Sequence, residues 1–456
     1  MTIDFTSSLT SAFNLPHSDS KLAELVRMAP KPAPEIHLLE PVHAARALAT
    51  RLGEIFRASP TDLRIIRETL ARSRAYIEQM YPSRDAFIAG AMGRMPEPPE
   101  PPFIMLTGHP GVGKSGLQLA IKRLIATGGV IQASEHLPPF PSHPIAHFQP
   151  RESIGKLQIS EGLMKSVGVL KGYTGRRGEE SENVRQKLYQ RGCALIMLDE
   201  VQFTTFSSTA NAKPAALLMQ LWYVGVPVLY ACNYSFGHRM QTRPPEEQTR
   251  LLGSPIVMLP ELPDSEWFAG YLQDINVVLG GSLQVDVVAD AREIHEMTFG
   301  LKRSVIKLIG AACLVAWQAS TGNRRGPVPV TMEHLRSAYG QSRYGYETEK
   351  RMVKNCARAL LDLAVEKDFV CPFELEASDV KRQRDMANEV RARALSAAQL
   401  LSAQPRSERT EVQAVARRTS TASSVSSPPK ARSAPPRPKS AEAMQANLRR
   451  LGIPNK

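Results

Sequence analysis

An α/β fold built on a parallel sheet is predicted by three features of the 456-residue sequence. Between residues 103 and 262, short apolar runs alternate with helix-period segments, the pattern that parallel strands and crossover helices require. The first run, Phe103-Ile104-Met105-Leu106, leads into Gly108-His109-Pro110-Gly111-Val112-Gly113-Lys114-Ser115 and then a helical segment. A later run, Ala194-Leu195-Ile196-Met197-Leu198, closes on the acidic pair Asp199-Glu200.

Five strands are expected: Phe103–Leu106, Pro144–Phe148, Ala194–Leu198, Val226–Ala231 and Ile256–Leu259. Only helical periodicity follows, near Ser265–Leu279, Val285–Thr298, Leu301–Ser320, Thr331–Tyr339 and Glu347–Val365. Ahead of the sheet, Pro41 to Met95 is helical in pattern. Leu48, Leu52, Ile55 and Phe56 fall on one face and Leu63, Ile66 and Leu70 on another, with Pro60 and Asp62 suited to a helix start. The run Pro96-Glu97-Pro98-Pro99-Glu100-Pro101-Pro102 reads as a stiff linker. The expected division is a flexible arm over 1–35, a helical region with its linker over 36–102, a nucleotide-binding core over 103–262, a helical lid with C-terminal helices over 263–377, and a basic, mostly disordered partner-binding tail over 378–456.

The formal charge is +13, and its distribution matters more than its sum. Residues 378–456 hold 16 Lys and Arg against 6 Asp and Glu, so most of the excess lies in the tail. A basic tail on a nearly neutral body suits nucleic acid or an acidic protein surface, and equally a solvated disordered segment. Near its end Met444, Leu448 and Leu451 fall at helical spacing, a short apolar stripe that a partner groove could fold. The five cysteines have no close pair, which leaves neither a zinc-ligand spacing nor a disulfide framework. The start Met1-Thr2-Ile3-Asp4-Phe5 lacks a secretory signal, and the apolar stretch Ser304–Trp317 is too short to span a bilayer. A soluble cytoplasmic protein without a membrane partner is expected.

The Gly-rich loop carries the first chemistry. Its glycines let backbone N–H groups curl around a polyphosphate at a helix N-terminus, with Lys114 reaching the β- and γ-phosphates of ATP and the Ser115 hydroxyl ligating Mg²⁺. At the later strand end, Asp199 is expected to hold the Mg²⁺ shell and Glu200 to orient the attacking water. Asn233, after Val228-Leu229-Tyr230-Ala231-Cys232, is expected to contact the γ-phosphate or that water; the competing reading is a turn-forming Asn. Of Arg239, Arg243 and Arg250, Arg250 is expected to act across a subunit interface as an arginine finger, although each equally suits an ordinary surface position. Gly300-Leu301-Lys302-Arg303 opens an amphipathic helix, and Arg303 is expected at the phosphates as a second sensor, against a plain cationic surface role.

These residues together indicate an AAA+ P-loop ATPase. The chain further resembles the TnsC/TniB family, AAA+ regulators of DNA transposition, over roughly residues 40–340. The resemblance is carried by the Gly108–Ser115 loop, Leu198-Asp199-Glu200-Val201-Gln202-Phe203, Gly225-Val226-Pro227-Val228-Leu229, Glu246-Glu247-Gln248-Thr249-Arg250 and Gly300-Leu301-Lys302-Arg303-Ser304. It implies an ATP-dependent homo-oligomeric ring or filament on duplex DNA that links a target-selector protein to transposase subunits, with the C-terminal region engaging the transposase. Between Gln149 and Tyr189 the sequence departs from that pattern, and Lys156, Lys165, Lys171, Arg176 and Arg177 are DNA-contact candidates there that a solvated helix face explains as well. Two other classes fit the ATPase motifs: a helicase loader or replication initiator, and a signalling switch, against which Glu200 argues.

Overall fold

The structure, a computed structural model, describes residues 5–32, 36–125, 128–150, 156–169, 180–201, 212–320, 328–340, 346–361, 365–375 and 377–403. Met1–Val390 forms one compact unit. A second begins at Arg391, and its described part is the end of the helix Ala377–Ala403. The stripe at Met444, Leu448 and Leu451, together with Lys171, Arg176 and Arg177, lies outside the described residues.

The central sheet has the five strands expected: β1 Phe103–Gly108, β2 Ile145–Phe148, β3 Leu195–Leu198, β4 Val228–Ala231 and β5 Ser254–Met258. Their order is β2-β3-β4-β1-β5 and every pairing is parallel. Strands β1, β3 and β4 are buried along their whole length, as apolar runs in a sheet covered on both faces must be. All of them deliver their C-terminal ends to one edge, the edge at which ligands bind in open parallel sheets. With the Gly-rich loop following β1, which lies between β4 and β5, this is the α/β layout of an AAA+ P-loop fold.

Two apolar cores lie beside each other in this unit. One gathers the sheet, the helix Pro60–Met80 and the helix Lys114–Leu124 through residues such as Ile66, Leu106, Leu117 and Leu198. The other joins Leu48 and Leu52 of the helix Pro41–Gly53 to Leu272, Ile275, Leu308 and Ala312 of the helical lid. The first helix ahead of the sheet therefore packs with the lid, and the second with the sheet. Ile55 and Phe56 are neighbours in the chain yet bury in different cores. Pro60–Met80 begins with a complete capping box, Ser59 accepting from Asp62 N and Asp62 accepting from Ser59 N, as the Pro60 and Asp62 pattern indicates.

Three expectations need correction. Residues 5–32 are no free arm: Phe5, Phe13, Leu22 and Val26 are buried in the sheet core, and Met28 forms an antiparallel bridge with Phe56. Polar spacing and prolines hid four apolar anchors, of which only Leu22 and Val26 stand at helical spacing. The post-sheet region is not purely helical, because Leu283–Gln284 pairs in parallel with Val330–Thr331. Finally, the segment from 378 begins as helix, and Arg382 of Ala377–Ala403 is paired with Glu261 at 2.6 Å. Among the described residues no helix is long and apolar enough to cross a membrane.

Phe13 is 3% exposed in the sheet core. Phe13→Ala is expected to cost about 3 kcal/mol of stability, read as a lowered urea midpoint. A midpoint equal to wild type would mean that the N-terminal segment is an arm after all.

Candidate functional site

At the C-terminal edge of the sheet, β1 ends on Gly108 and the loop turns into the helix Lys114–Leu124. Gly111 and Gly113 have φ of 86° and 119°, a region that L side chains rarely adopt. They also lack room: a Cβ on Gly111 would lie 2.9 Å from Arg303 Cβ, and one on Gly113 2.7 Å from Lys302 Cδ. The backbone N–H of Arg303 donates to Gly111 O at 3.1 Å, so the lid helix Lys302–Ala319 starts directly on the loop.

A cleft of about 660 Å³ opens between loop, sheet edge and lid. Its polar wall includes Lys114, Ser115, Asp199, Glu200, Asn233 and Arg303, six residues that the sequence reading singled out. Pro110, Gly111 and Gly113 of the loop line it too, while Gly108, His109 and Val112 support the loop from behind and are buried or packed against β5. The His109 ring stands edge-on to Tyr234 with centroids 5.0 Å apart, and burial pushes its imidazole down to about 3, so it is neutral. Lys114 is 8% exposed, and its ammonium donates to Gly108 O at 2.8 Å and His109 O at 3.1 Å.

Asp199 is 3% exposed and Glu200 beside it is exposed, with a φ of 56°. A non-glycine residue in that region is uncommon and costs about 1–2 kcal/mol. Burial, then the Asp199 charge, raises the Glu200 carboxyl, while Lys114 and Arg303 pull it back. Gln118 of the loop helix donates to Leu198 O at 2.8 Å, tying the acidic strand end to the glycine loop. Asn233 precedes the helix Tyr234–Met240 at its cap position, but its side chain makes no capping hydrogen bond. Asn233 O does accept from Phe236 N at 3.0 Å, so a backbone turn starts here, and Asn233 also lines the cleft.

The three arginines part company. None of Arg239, Arg243 and Arg250 is among the residues lining this cleft. Arg243 is held by Glu247, with contacts of 2.8 and 3.1 Å. Arg250 is exposed and its guanidinium lies over the Trp222 ring, 4.8 Å from the centroid. Of the DNA-contact candidates, Lys156 opens the helix Lys156–Ser166 and Lys165 near its end is exposed.

Tyr271 and Ile306 line the cleft without any sequence signal, and Ile55 and Phe56, legible only as a helix face, line it too, which adds apolar surface to the charged residues. Lys302 reaches Asp62 at 3.3 Å and sits over the Phe56 and Trp267 rings at 5.1 and 4.9 Å. Asp62 was legible as a helix cap, but its pairing with a residue 240 positions away was not. The cleft thus joins an apolar pocket suited to a flat ring with a glycine cradle and cations suited to phosphates. Ser115 and Asp199 supply the hard oxygen donors that a divalent cation takes.

The sequence matches no protein-family model and no curated protein. Among solved structures the chain is similar to Cdc6p from Pyrobaculum aerophilum, at 15% identity and a TM-score of 0.37 over 56% of this chain and 64% of that one. The match therefore spans less than two thirds of Cdc6p. It is similar also to the Aeropyrum pernix Orc1 protein in complex with DNA, at 19% identity, TM-score 0.39, 70% of this chain and 72% of that one. A third is domain III of the Thermotoga maritima replication initiation protein DnaA, at 13% identity, TM-score 0.33, 56% of this chain and 88% of that one. The fold assignment rests on the strand order and the loop.

Lys114 makes a checkable pH effect. Burial pushes its ammonium down to about 8 from 10.5; the groups at Cys232, Asp199 and Glu200 partly restore it and Arg303 opposes them. Between these values the unfolded chain holds a proton that the folded chain has lost, so stability rises with pH across that window. Relative to Lys114→Met, the wild-type melting temperature should gain as pH goes from about 8 toward 10. A constant difference between the two proteins across that range would show that the ammonium is not desolvated.

Proposed function

We propose that this chain is an Mg²⁺-dependent ATPase of the AAA+ type that assembles with copies of itself on duplex DNA and regulates transposition, linking a target-selector protein to the transposase. The observation that carries the ATPase part is one cleft lined by Lys114, Ser115, Asp199, Glu200, Asn233 and Arg303 around a glycine loop. The transposition part is supported by the motifs that resemble TnsC/TniB regulators.

In this reading the Gly108–Ser115 loop wraps the phosphates with backbone N–H groups, and Lys114 exchanges its two loop carbonyls for phosphate oxygens. Ser115 and Asp199 would hold Mg²⁺, which supplies charge neutralisation at the phosphates. Glu200 takes a hydrogen bond from the attacking water, and its raised carboxyl pKa favours proton acceptance over a fully solvated carboxylate. Asn233 presents an amide to the water or the γ-phosphate, and Arg303 a guanidinium to the phosphate charge. Ile55, Phe56, Tyr271 and Ile306 enclose the base.

An arginine finger from a neighbouring copy completes this set. Support for an intermolecular finger comes from the cleft itself, which none of Arg239, Arg243 and Arg250 lines. Arg250 suits the role because it is exposed and rests over Trp222, whereas Arg243 is engaged by Glu247.

Glu200→Gln should retain ATP binding and lose most turnover, while Lys114→Ala should lose binding. A mixture of Arg250→Ala and Lys114→Ala proteins should recover part of the activity that each lacks alone, since a finger is worth on the order of 10³–10⁵ in rate. Steady-state hydrolysis unchanged in Glu200→Gln removes Glu200 from the mechanism, and rescue by Arg243→Ala in place of Arg250→Ala reassigns the finger.

On duplex DNA, ATP should promote binding with little sequence preference and an affinity that falls steeply with salt. Competition between unrelated duplexes checks this. One sequence preferred by orders of magnitude would point instead to an initiator.

A further inference from the structure

Glu349 lies in the helix Glu347–Leu360, well beyond the lid's first turns, yet its side chain is only 2% exposed. Lys307 Nζ donates to its Oε1 at 2.6 Å, and the Ser304 hydroxyl donates to its Oε2 at 2.9 Å. Arg303 Nε stands 3.6 Å from Oε1, and its Nη2 meets Met352 Sδ at 3.3 Å. Two cations and a hydroxyl converging on one point form an anion site. Here the anion is the protein's own carboxylate. Arg303 and Lys307 also line the nucleotide cleft, and Arg303 is bonded through its backbone to the glycine loop.

We propose that Glu349 is a positioning residue that stands in for a phosphate: it holds the Arg303 guanidinium until a triphosphate enters the cleft, then yields it. The proposal rests on the reading of the cleft as an ATP site. The three contacts are unequal. Arg303 and Lys307 are about equally exposed, 46% and 48%, but Arg303 makes the longest contact, so it is the partner released at least cost. Lys307 and Ser304 remain on Glu349 afterwards, which avoids the large penalty of an orphaned buried charge. Triphosphate entry therefore changes what the helix Glu347–Leu360 is fastened to. From that helix the chain continues to Phe369, whose ring lies 6.4 Å from His109 of the loop, and to Arg382 on Glu261.

Titration of the full chain with a non-hydrolysable ATP analogue tests this, because the contact makes Glu349 a competitor. Glu349→Gln keeps the side-chain size and the acceptor for Ser304 but removes the charge. It should bind the analogue roughly 2- to 5-fold more tightly, the range of a partly exposed ion pair. Glu349→Asp keeps the charge but withdraws it by one methylene, and should tighten binding less. In an Arg303→Ala background neither change should alter the affinity. A residue that merely supports the fold gives the opposite sign, with weaker or unchanged binding, and that result in a variant with a wild-type melting curve overturns the proposal. Tightening that persists without Arg303 overturns it as well, since it marks a general charge effect. Should Glu349→Gln fail to fold, Glu349→Asp decides by the same sign. Failure of the wild-type chain to bind the analogue overturns the ATP reading itself, whereas binding that ignores Glu349 overturns this inference alone.

Discussion

The lid meets the glycine loop backbone to backbone, and the layout of the cleft depends on that contact. Arg303 N bonds to Gly111 O at 3.1 Å, a distance that only a loop without side chains on that face permits. Gly111 and Gly113 are thus needed twice, once for a left-handed φ and once for room against Arg303 and Lys302. The seam between the two apolar cores passes through this point. The chain crosses it at Ile55 and Phe56, and again between Leu301 and Val305, and residues from both crossings line the cleft. A ligand lodged there touches both cores at once, so its binding energy can change how they are held together.

Charge reinforces the seam in a particular way. Asp62, Asp274, Glu261 and Glu349 are buried or nearly so, and each takes its cation from a distant part of the chain. Asp274 holds Arg27 and Arg57, Asp62 holds Lys302, and Glu261 holds Arg382. Buried pairs of this sort add little net stability, because desolvation offsets most of the attraction. Losing one partner is expensive, however, so the pairs penalise every other arrangement of the segments. Glu261 shows the balance: burial raises its carboxyl and Arg382 draws it back.

What could be read from the sequence divides by the distance over which the signal operates. The sheet was legible because β1, β3 and β4 are each a continuous buried run, and the Gly108–Ser115 loop because its chemistry lies within eight neighbouring positions. Asp199, Glu200, Asn233 and Arg303 were legible as ends of strands or starts of helices, and the fold brings those ends together at one edge. The packed segment 5–32 gives little sequence signal because Phe5, Phe13 and Leu22 are widely spaced and only Leu22 and Val26 stand at helical spacing. Glu349 and Tyr271 were invisible for a different reason. Each looks like an ordinary member of an amphipathic helix, and its importance comes from what faces it across the seam.

The two strained non-glycine backbone positions lie at or near the same place. Among the described residues, two non-glycine positions have φ above zero: Glu200 at 56° and Phe299 at 57°. Glu200 lines the cleft, and Phe299 lies four residues before Arg303, its ring 6.2 Å from His109. Asn233, also in the cleft wall, occupies a helix cap without a side-chain capping bond, as Asp290 does away from the cleft. Each departure costs something locally, whereas the capping box at Ser59 and the buried strands follow local propensity. Strain of this kind persists only where the surroundings over-determine it. Here the surroundings are the two cores and the loop between them, which set the carboxylate of Glu200, the amide of Asn233 and the guanidinium of Arg303 around one volume. An unstrained backbone at residues 200 and 299 would relax the local cost of 1–2 kcal/mol or so and turn the acidic pair and the lid entry away from the glycine loop.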